Sequence, residues 1–319
     1  MEVNTDLPPP PDDEGSVIGL TQVDPSPVDT PPEYRAKSYF PDQERPEGGE
    51  TEEMRGIRRM NTLGLRLGER GPAWWLLRIQ KYSSYTFTVF AALHITNTSI
   101  IPLATRSVIE SNRYLLLTRP YYQSALTEPL LVALPLVAHI TSGIALRLWR
   151  RRQALLRYGA ETRRDKRTIP WPVISGTSAL GYALVPLSGF HIWTTRILPL
   201  YAHGDSSLIS LNYISHGFAL HPAVSFAGFS ALVSVGVWHF VWGAAKWLGF
   251  APSQVKNTEE NRALVRKRRW YTINGISAAL AALWLGGSLG VVGREGKMPG
   301  WIGKEYDDLY KYLPILGRW

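Results

Sequence analysis

The chain has 319 residues, 35 Lys or Arg against 26 Asp or Glu, and no cysteine. Disulfides, cysteine-held zinc, iron–sulfur clusters and thioether-linked haem are therefore excluded. The charge is segregated: residues 1–53 hold 14 acidic groups against three basic ones, a net of −11, which leaves +20 on the rest of the chain. Such an asymmetry assigns the two parts to different surroundings.

Residues 1–53 contain ten prolines, including Pro8 to Pro11, and few large apolar groups. They bury too little surface to offset the entropy of ordering, so this acidic tail is predicted to be disordered. Its opening, Met1-Glu2-Val3-Asn4, is neither a secretory signal nor a basic presequence. One island stands out between Ser16 and Pro27, where Ile18, Leu20 and Val23 precede Pro25-x-Pro27. The alternation suits a short linear motif that adds a strand to a partner's sheet. A chance apolar cluster in a polar tail would look the same.

Residues 54–82 are basic, with Trp74 and Trp75 among Arg55, Arg58, Arg59, Arg66, Arg70, Arg78 and Lys81. Cations with tryptophans ahead of an apolar run mark an approach to a membrane surface. Five apolar runs follow, near Ser83–Ala104, Leu126–Leu148, Val173–Leu200, Pro222–Leu248 and Tyr271–Val292. Each exceeds the roughly 18 residues that signal a bilayer crossing. The fold class is thus an all-α membrane protein, a bundle of about five transmembrane helices over 83–292, with a C-terminal tail over 293–319. No internal repeat is apparent.

The connections alternate in charge. Those between spans two and three (Arg150 to Arg167) and between spans four and five (Lys256 to Arg269) are strongly basic. The connection from Tyr201 to His221 has no Lys or Arg, and that between spans one and two has only Arg106, Arg113 and Arg119. Basic connections stay on the cytosolic side, which places the N-terminus there and the C-terminal tail opposite. Beside a bilayer these loops read as topology determinants touching anionic headgroups, not as a nucleic-acid surface.

Four of the seven histidines, His94, His139, His191 and His239, fall one each in spans one to four. Intramembrane ionisable groups usually face the bundle interior. At about 1.5 Å of rise per residue, His139 and His239 match in depth while His94 and His191 do not. Two neutral imidazoles facing across a bundle can ligate a b-type haem. Gly143, Gly236 and Gly243 would leave room beside it, and Arg147 would meet a propionate. Hydrogen bonds between helices account for the same histidines without a cofactor. His203, His216 and His221 lie in the non-cytosolic connection and read as solvated loop residues rather than a metal site. No phosphate loop or nucleophile elbow is present, and the intramembrane region has no paired carboxylates, so a non-enzymatic role is expected.

Five spans, Tyr82-Ser-Ser-Tyr-Thr-Phe-Thr-Val-Phe-Ala-Ala-Leu-His94 and His139-Ile-Thr-Ser-Gly-Ile-Ala-Leu-Arg147 together resemble the fungal mitochondrial outer-membrane adaptor family called Mcp-one, over roughly Leu77 to Trp319. The second stretch is also similar to the haem-ligating helix of the cytochrome b anchor subunits of succinate dehydrogenase. That likeness implies His139 with His239 as ligands, and His94 with His191 as a second pair. The Mcp-one resemblance implies recruitment of a bridge-like lipid-transfer protein of the Vps-thirteen class through Pro25 and Pro27, with Ile18, Leu20 and Val23 upstream. It implies lipid homeostasis at a membrane contact site, and phospholipid scrambling as an added activity. A haem-b electron-transfer protein is the alternative.

Overall fold

The computed structural model describes residues 71–256 and 261–313. The tail over 1–53, with Ile18, Leu20, Val23, Pro25 and Pro27, lies outside the described residues, as do 54–70 and 314–319. All regular structure among the described residues is helical.

α1 (Pro72–Ile95) opens on a proline, whose missing N–H is one of the donors a first helical turn leaves unbonded anyway. It runs through a π-helical turn, Thr96–Ile100, into α2 (Ile101–Thr105) and stops at Arg106, which is left-handed at φ +53°. α3 (Val108–Gln123) is capped by Ser107, whose hydroxyl accepts the Glu110 N–H. A second π-turn, Pro129–Ala133, leads into α4 (Leu134–Arg157). α5 (Arg163–Thr168) is a single basic turn and a half, started by a capping box of Thr162 and Asp165. Then come α6 (Gly176–Ile192), a third π-turn at Trp193–Ile197, α7 (Leu198–His203) and the left-handed Gly204. α8 (Leu211–Leu220), α9 (Pro222–Trp247), α10 (Arg262–Ser288) and α11 (Gly300–Lys311) complete the order.

A bilayer offers hydroxyl groups no water, so they must bond within the helix that carries them. Thr86, Thr88, Thr98, Thr141, Ser188 and Thr195 each donate to the carbonyl one turn back. Among the described residues four helices are long and apolar enough to cross a membrane: Pro72–Thr105, Pro129–Arg157, Pro222–Gln254 and Arg262–Arg294. The third expected span is also one continuous helix, over 176–203, but Gly176, Thr177, Ser178, Gly181, Pro186 and His191 dilute its apolar character. α1 begins well before Ser83, so Trp74 to Lys81 belong to the first spanning helix itself.

The structure reveals an internal duplication that the sequence analysis missed. One half runs α1, π-turn, α2, left-handed stop, α3, α4; the other runs α6, π-turn, α7, left-handed stop, α8, α9. With the π-turns superposed, residues 94–103 (His-Ile-Thr-Asn-Thr-Ser-Ile-Ile-Pro-Leu) and 191–200 (His-Ile-Trp-Thr-Thr-Arg-Ile-Leu-Pro-Leu) agree at six of ten positions. On the return helices, His139-x-x-x-Gly143-x-Ala145 matches His239-x-x-x-Gly243-x-Ala245. Within each half the long helices pack as a hairpin, α1 on α4 and α6 on α9. Close backbone approach between the hairpins is sparse, and aromatic and imidazole rings bridge the interval.

α10 stands outside the duplication. It packs on α9, where Asn274 Oδ1 accepts both the Trp238 and the Trp242 indole N–H. It also packs on the first π-turn, where the buried Ser99 hydroxyl donates to the Trp284 carbonyl. At the end of the bundle away from the basic connections, α3, α8 and α11 form a cap. Tyr213, Tyr306, Leu309, Tyr310 and Leu313 make its core, and the Tyr310 ring lies against Gly217. α11 falls in the segment read from sequence as a plain C-terminal tail. At the basic end Arg151, only 7% exposed, donates to the carbonyls of Lys166, Ile169 and Pro170, and so folds its connection back onto α4.

A β-carbon on Gly287 would lie 1.9 Å from the Ser99 carbonyl oxygen, whereas one on Gly243 would meet nothing within 4 Å. Overpacking of this kind costs about 1–3 kcal/mol. Gly287→Ala should therefore lower the melting temperature of the detergent-solubilised protein by roughly 3–10 °C. Gly243→Ala, measured by the same thermal unfolding assay, should leave it unchanged.

Candidate functional site

The interval between the hairpins holds the four intramembrane histidines in two pairs. The His139 and His239 ring centroids are 6.1 Å apart, and those of His94 and His191 are 5.9 Å apart. The first pairing agrees with the depth estimate made from sequence, and the second corrects it. The estimate counted from assumed span starts at Ser83 and Val173, whereas α1 begins eleven residues before Ser83. The observed register removes the mismatch. His139 is level with Gln80 and His239 with Thr177, and a step of 14 residues leads from Gln80 to His94 and from Thr177 to His191. At about 1.5 Å per residue the two pairs lie roughly 21 Å apart along the bundle. Each pair unites equivalent positions of the two halves.

The pairs differ in their hydrogen bonds. His139 Nδ1 lies 3.1 Å from the Gln80 carbonyl and His239 Nδ1 lies 3.0 Å from the Thr177 carbonyl. A carbonyl can only accept, so both rings carry their proton on Nδ1 and keep the Nε2 lone pair free. This is the arrangement of a metal-ligating histidine, in which a backbone carbonyl fixes tautomer and ring orientation. Glycine makes room for it: a β-carbon on Gly181 would sit 2.8 Å from His239 Cε1. Gly143 performs a related service by admitting the Gln80 side chain, while Gly236 faces Leu184 and Gly243 faces open space. The glycines expected beside a macrocycle thus mostly serve packing, and Gly181, which sequence reading passed over, touches a histidine ring.

At the other level no carbonyl fixes the rings. His94 stacks on Phe90, His191 meets the edge of Phe229, and buried His191 Nδ1 has no hydrogen-bond partner. Asn97 Oδ1, one turn beyond His94, is the other buried orphan among the described residues. Arg147 lies over the Trp171 ring at 5.6 Å, at the basic end of α4, with no carboxylate partner in the described residues. His139 and His239, each with Nδ1 on a carbonyl and Nε2 left over, are the pair that would hold a haem iron if one is bound. His94 and His191 meet as a ring pair that lacks the tautomer-fixing acceptor.

Residues 186–297 match the family model described as the transmembrane domain of MDM10-complementing protein 1. The matched stretch is thus similar to that family's transmembrane domain over about a third of the chain. It takes in the second hairpin from Pro186 onward together with α10, and lies within the stretch over which the sequence resembles that family. No curated protein and no solved structure matches the chain.

Of the remaining histidines, His216 departs from the expectation of a solvated loop residue. It is 1% exposed, accepts the Met298 N–H at Nδ1 and donates from Nε2 to Asp307, each at 3.0 Å. One imidazole thereby joins α8, the segment before α11, and α11. No group of three or more His, Asp or Glu side chains among the described residues could hold a metal ion. Asp307→Ala would strand a buried donor at a cost of about 1–3 kcal/mol. The variant should melt several degrees lower and expose the chain near Met298 to limited proteolysis, while Asp308→Ala, at the surface partner of Lys311, should do neither.

Proposed function

We propose that this Mcp1-type protein anchors a bridge-like lipid-transfer protein of the Vps-thirteen class at the mitochondrial outer membrane, in support of lipid homeostasis. Ile18, Leu20, Val23, Pro25 and Pro27 would make the contact. The observation that carries the reading is the family match over 186–297, on a chain whose acidic first 53 residues precede a basic membrane bundle. The signs suit the division of labour: +20 holds the bundle rim to anionic headgroups, and −11 keeps the recruiting segment off them. A linear motif binds weakly alone, and confinement to a membrane surface raises its effective concentration. Replacing Pro25 and Pro27 together by alanine should abolish recruitment and leave the melting temperature of the bundle unchanged. Recruitment at the wild-type level would sink the motif. Scrambling, the added activity, would appear as ATP-independent exposure of inner-leaflet lipid in proteoliposomes.

A second reading is favoured by the Nδ1–carbonyl bonds at His139 and His239. Those two rings would hold a b-type haem through Nε2, with Gln80 and Thr177 keeping the protons on Nδ1 and Gly181 clearing the space. Bound haem supplies a one-electron redox centre. Protein purified from haem-replete cells should then show a Soret band that is lost in His139→Ala or His239→Ala and weakened in Gly181→Leu. Well-folded, colourless protein would leave the imidazoles as bonds between helices.

A further inference from the structure

A pocket of about 490 Å³ opens at the capped end, between the C-terminal turn of α3 and the connection that follows α7. Its wall carries Arg119, Arg196, Gln123 and Asp205, and its rim carries Leu116 and Leu200. The rim continues into an apolar face of α3: Leu116, Leu117 and Tyr121 are 57%, 70% and 70% exposed. α3 leads from the end of one membrane helix to the start of the next, so this face and pocket lie where headgroups meet acyl chains.

The polar groups leave a specific remainder. A guanidinium has five N–H donors. Arg119 uses four: Nε to Gln123, Nη1 to the Ile209 carbonyl at 3.0 Å, and Nη2 to the carbonyl and hydroxyl of Ser206. Arg196 uses three, two on the Glu128 carboxylate and one on the Ser206 hydroxyl. Three N–H donors on two guanidiniums that converge on Ser206 are thus left for an outside acceptor. The charges are equally specific. Glu128 neutralises Arg196, but Arg119 meets only neutral acceptors, and Asp205 has no cation within ion-pair distance among the described residues. Asp205 Oδ1 accepts the Ser207 N–H and O–H, which holds its carboxyl below the usual range and ionised at neutral pH. The wall therefore displays a cation, Arg119, and an anion, Asp205, that act on each other only at longer range and share no contact ion pair, beside lipid-facing leucines.

We propose that this pocket seats the headgroup of a zwitterionic glycerophospholipid, with its phosphate on the spare N–H donors of Arg119 and Arg196, its ammonium toward Asp205, and its acyl chains along Leu116 and Leu200. A purely anionic headgroup would satisfy the arginines and be repelled by Asp205. A neutral glyceride would leave all three donors unmet. Arg196 occupies the position equivalent to Ser99, so the first half of the duplication has no counterpart of this site.

The test is native mass spectrometry of the full-length protein in detergent, with phosphatidylethanolamine, phosphatidylcholine, phosphatidylglycerol, diacylglycerol or inorganic phosphate added in turn. The two zwitterionic lipids should be retained, phosphatidylglycerol less, and diacylglycerol and phosphate not at all. Asp205→Asn, which removes the charge but keeps an Oδ1 to accept the Ser207 N–H and O–H, should reduce phosphatidylethanolamine retention by roughly two- to fivefold, the scale of a solvent-exposed ion pair. It should raise phosphatidylglycerol retention. Arg119→Lys, which keeps the charge but loses the fork, should weaken both phospholipid classes alike. Phosphatidylethanolamine retained no better than diacylglycerol would overturn the proposal. So would equal displacement of both phospholipids by inorganic phosphate, which would mark a free-anion site, or an Asp205→Asn protein with unchanged selectivity.

Discussion

In each hairpin one hydrogen bond sets the register on which everything near it depends. An imidazole on the returning helix donates Nδ1–H to a backbone carbonyl on the outgoing helix: His139 to Gln80 in one half, His239 to Thr177 in the other. Those carbonyls lie in regular helix, so the rings reach them only where side chains stand aside. Gly181, one turn after Thr177, supplies that clearance on the acceptor's own helix, and Gly143, one turn after His139, admits Gln80 on the donor's. Once both bonds form, the two acceptors are level, and the equal steps to His94 and His191 bring the second ring pair together.

The three π-turns translate that register into chemistry. A π-turn inserts one extra residue per turn and rotates all that follows, which is why such turns gather at functional positions. Here two begin two residues after His94 and His191. Downstream of them the halves use the rotated positions differently. Ser99 is small enough to let α10 close on the first turn. Arg196, its equivalent, reaches sideways to Glu128 and Ser206 instead. Tyr213, held in the cap with its phenol pushed to a high pKa by burial, donates to the Thr194 carbonyl inside the third turn. The cap and the seam are thereby mechanically joined.

Much of this was legible in the sequence. Runs of apolar residues located the spanning helices, charge located the basic connections, and rarity made the four histidines conspicuous. The pairing of His139 with His239 followed from depth alone. Three features were not legible. The second histidine pair was obscured because hydropathy marks where a helix becomes apolar, and α1 starts earlier, on Pro72. The duplication was hidden because His94 and His139 are 45 residues apart and His191 and His239 are 48 apart, so no single offset aligns both histidine motifs. α11 escaped because its residues, Gly300 to Lys311, are mostly polar, and it is contacts made in the fold, the rings of Tyr306 and Tyr310 on Tyr213 and Asp307 on His216, that tie the helix to the cap.

The contact of Ser99 with Trp284 joins positions 185 residues apart. Without α10 the Ser99 side chain and carbonyl would face a vacant groove. The histidine bonds of the duplicated four-helix frame are all made among earlier residues. The first π-turn is thus completed only by the last spanning helix, so a chain cut before α10 would keep its histidine bonds and lose this closure.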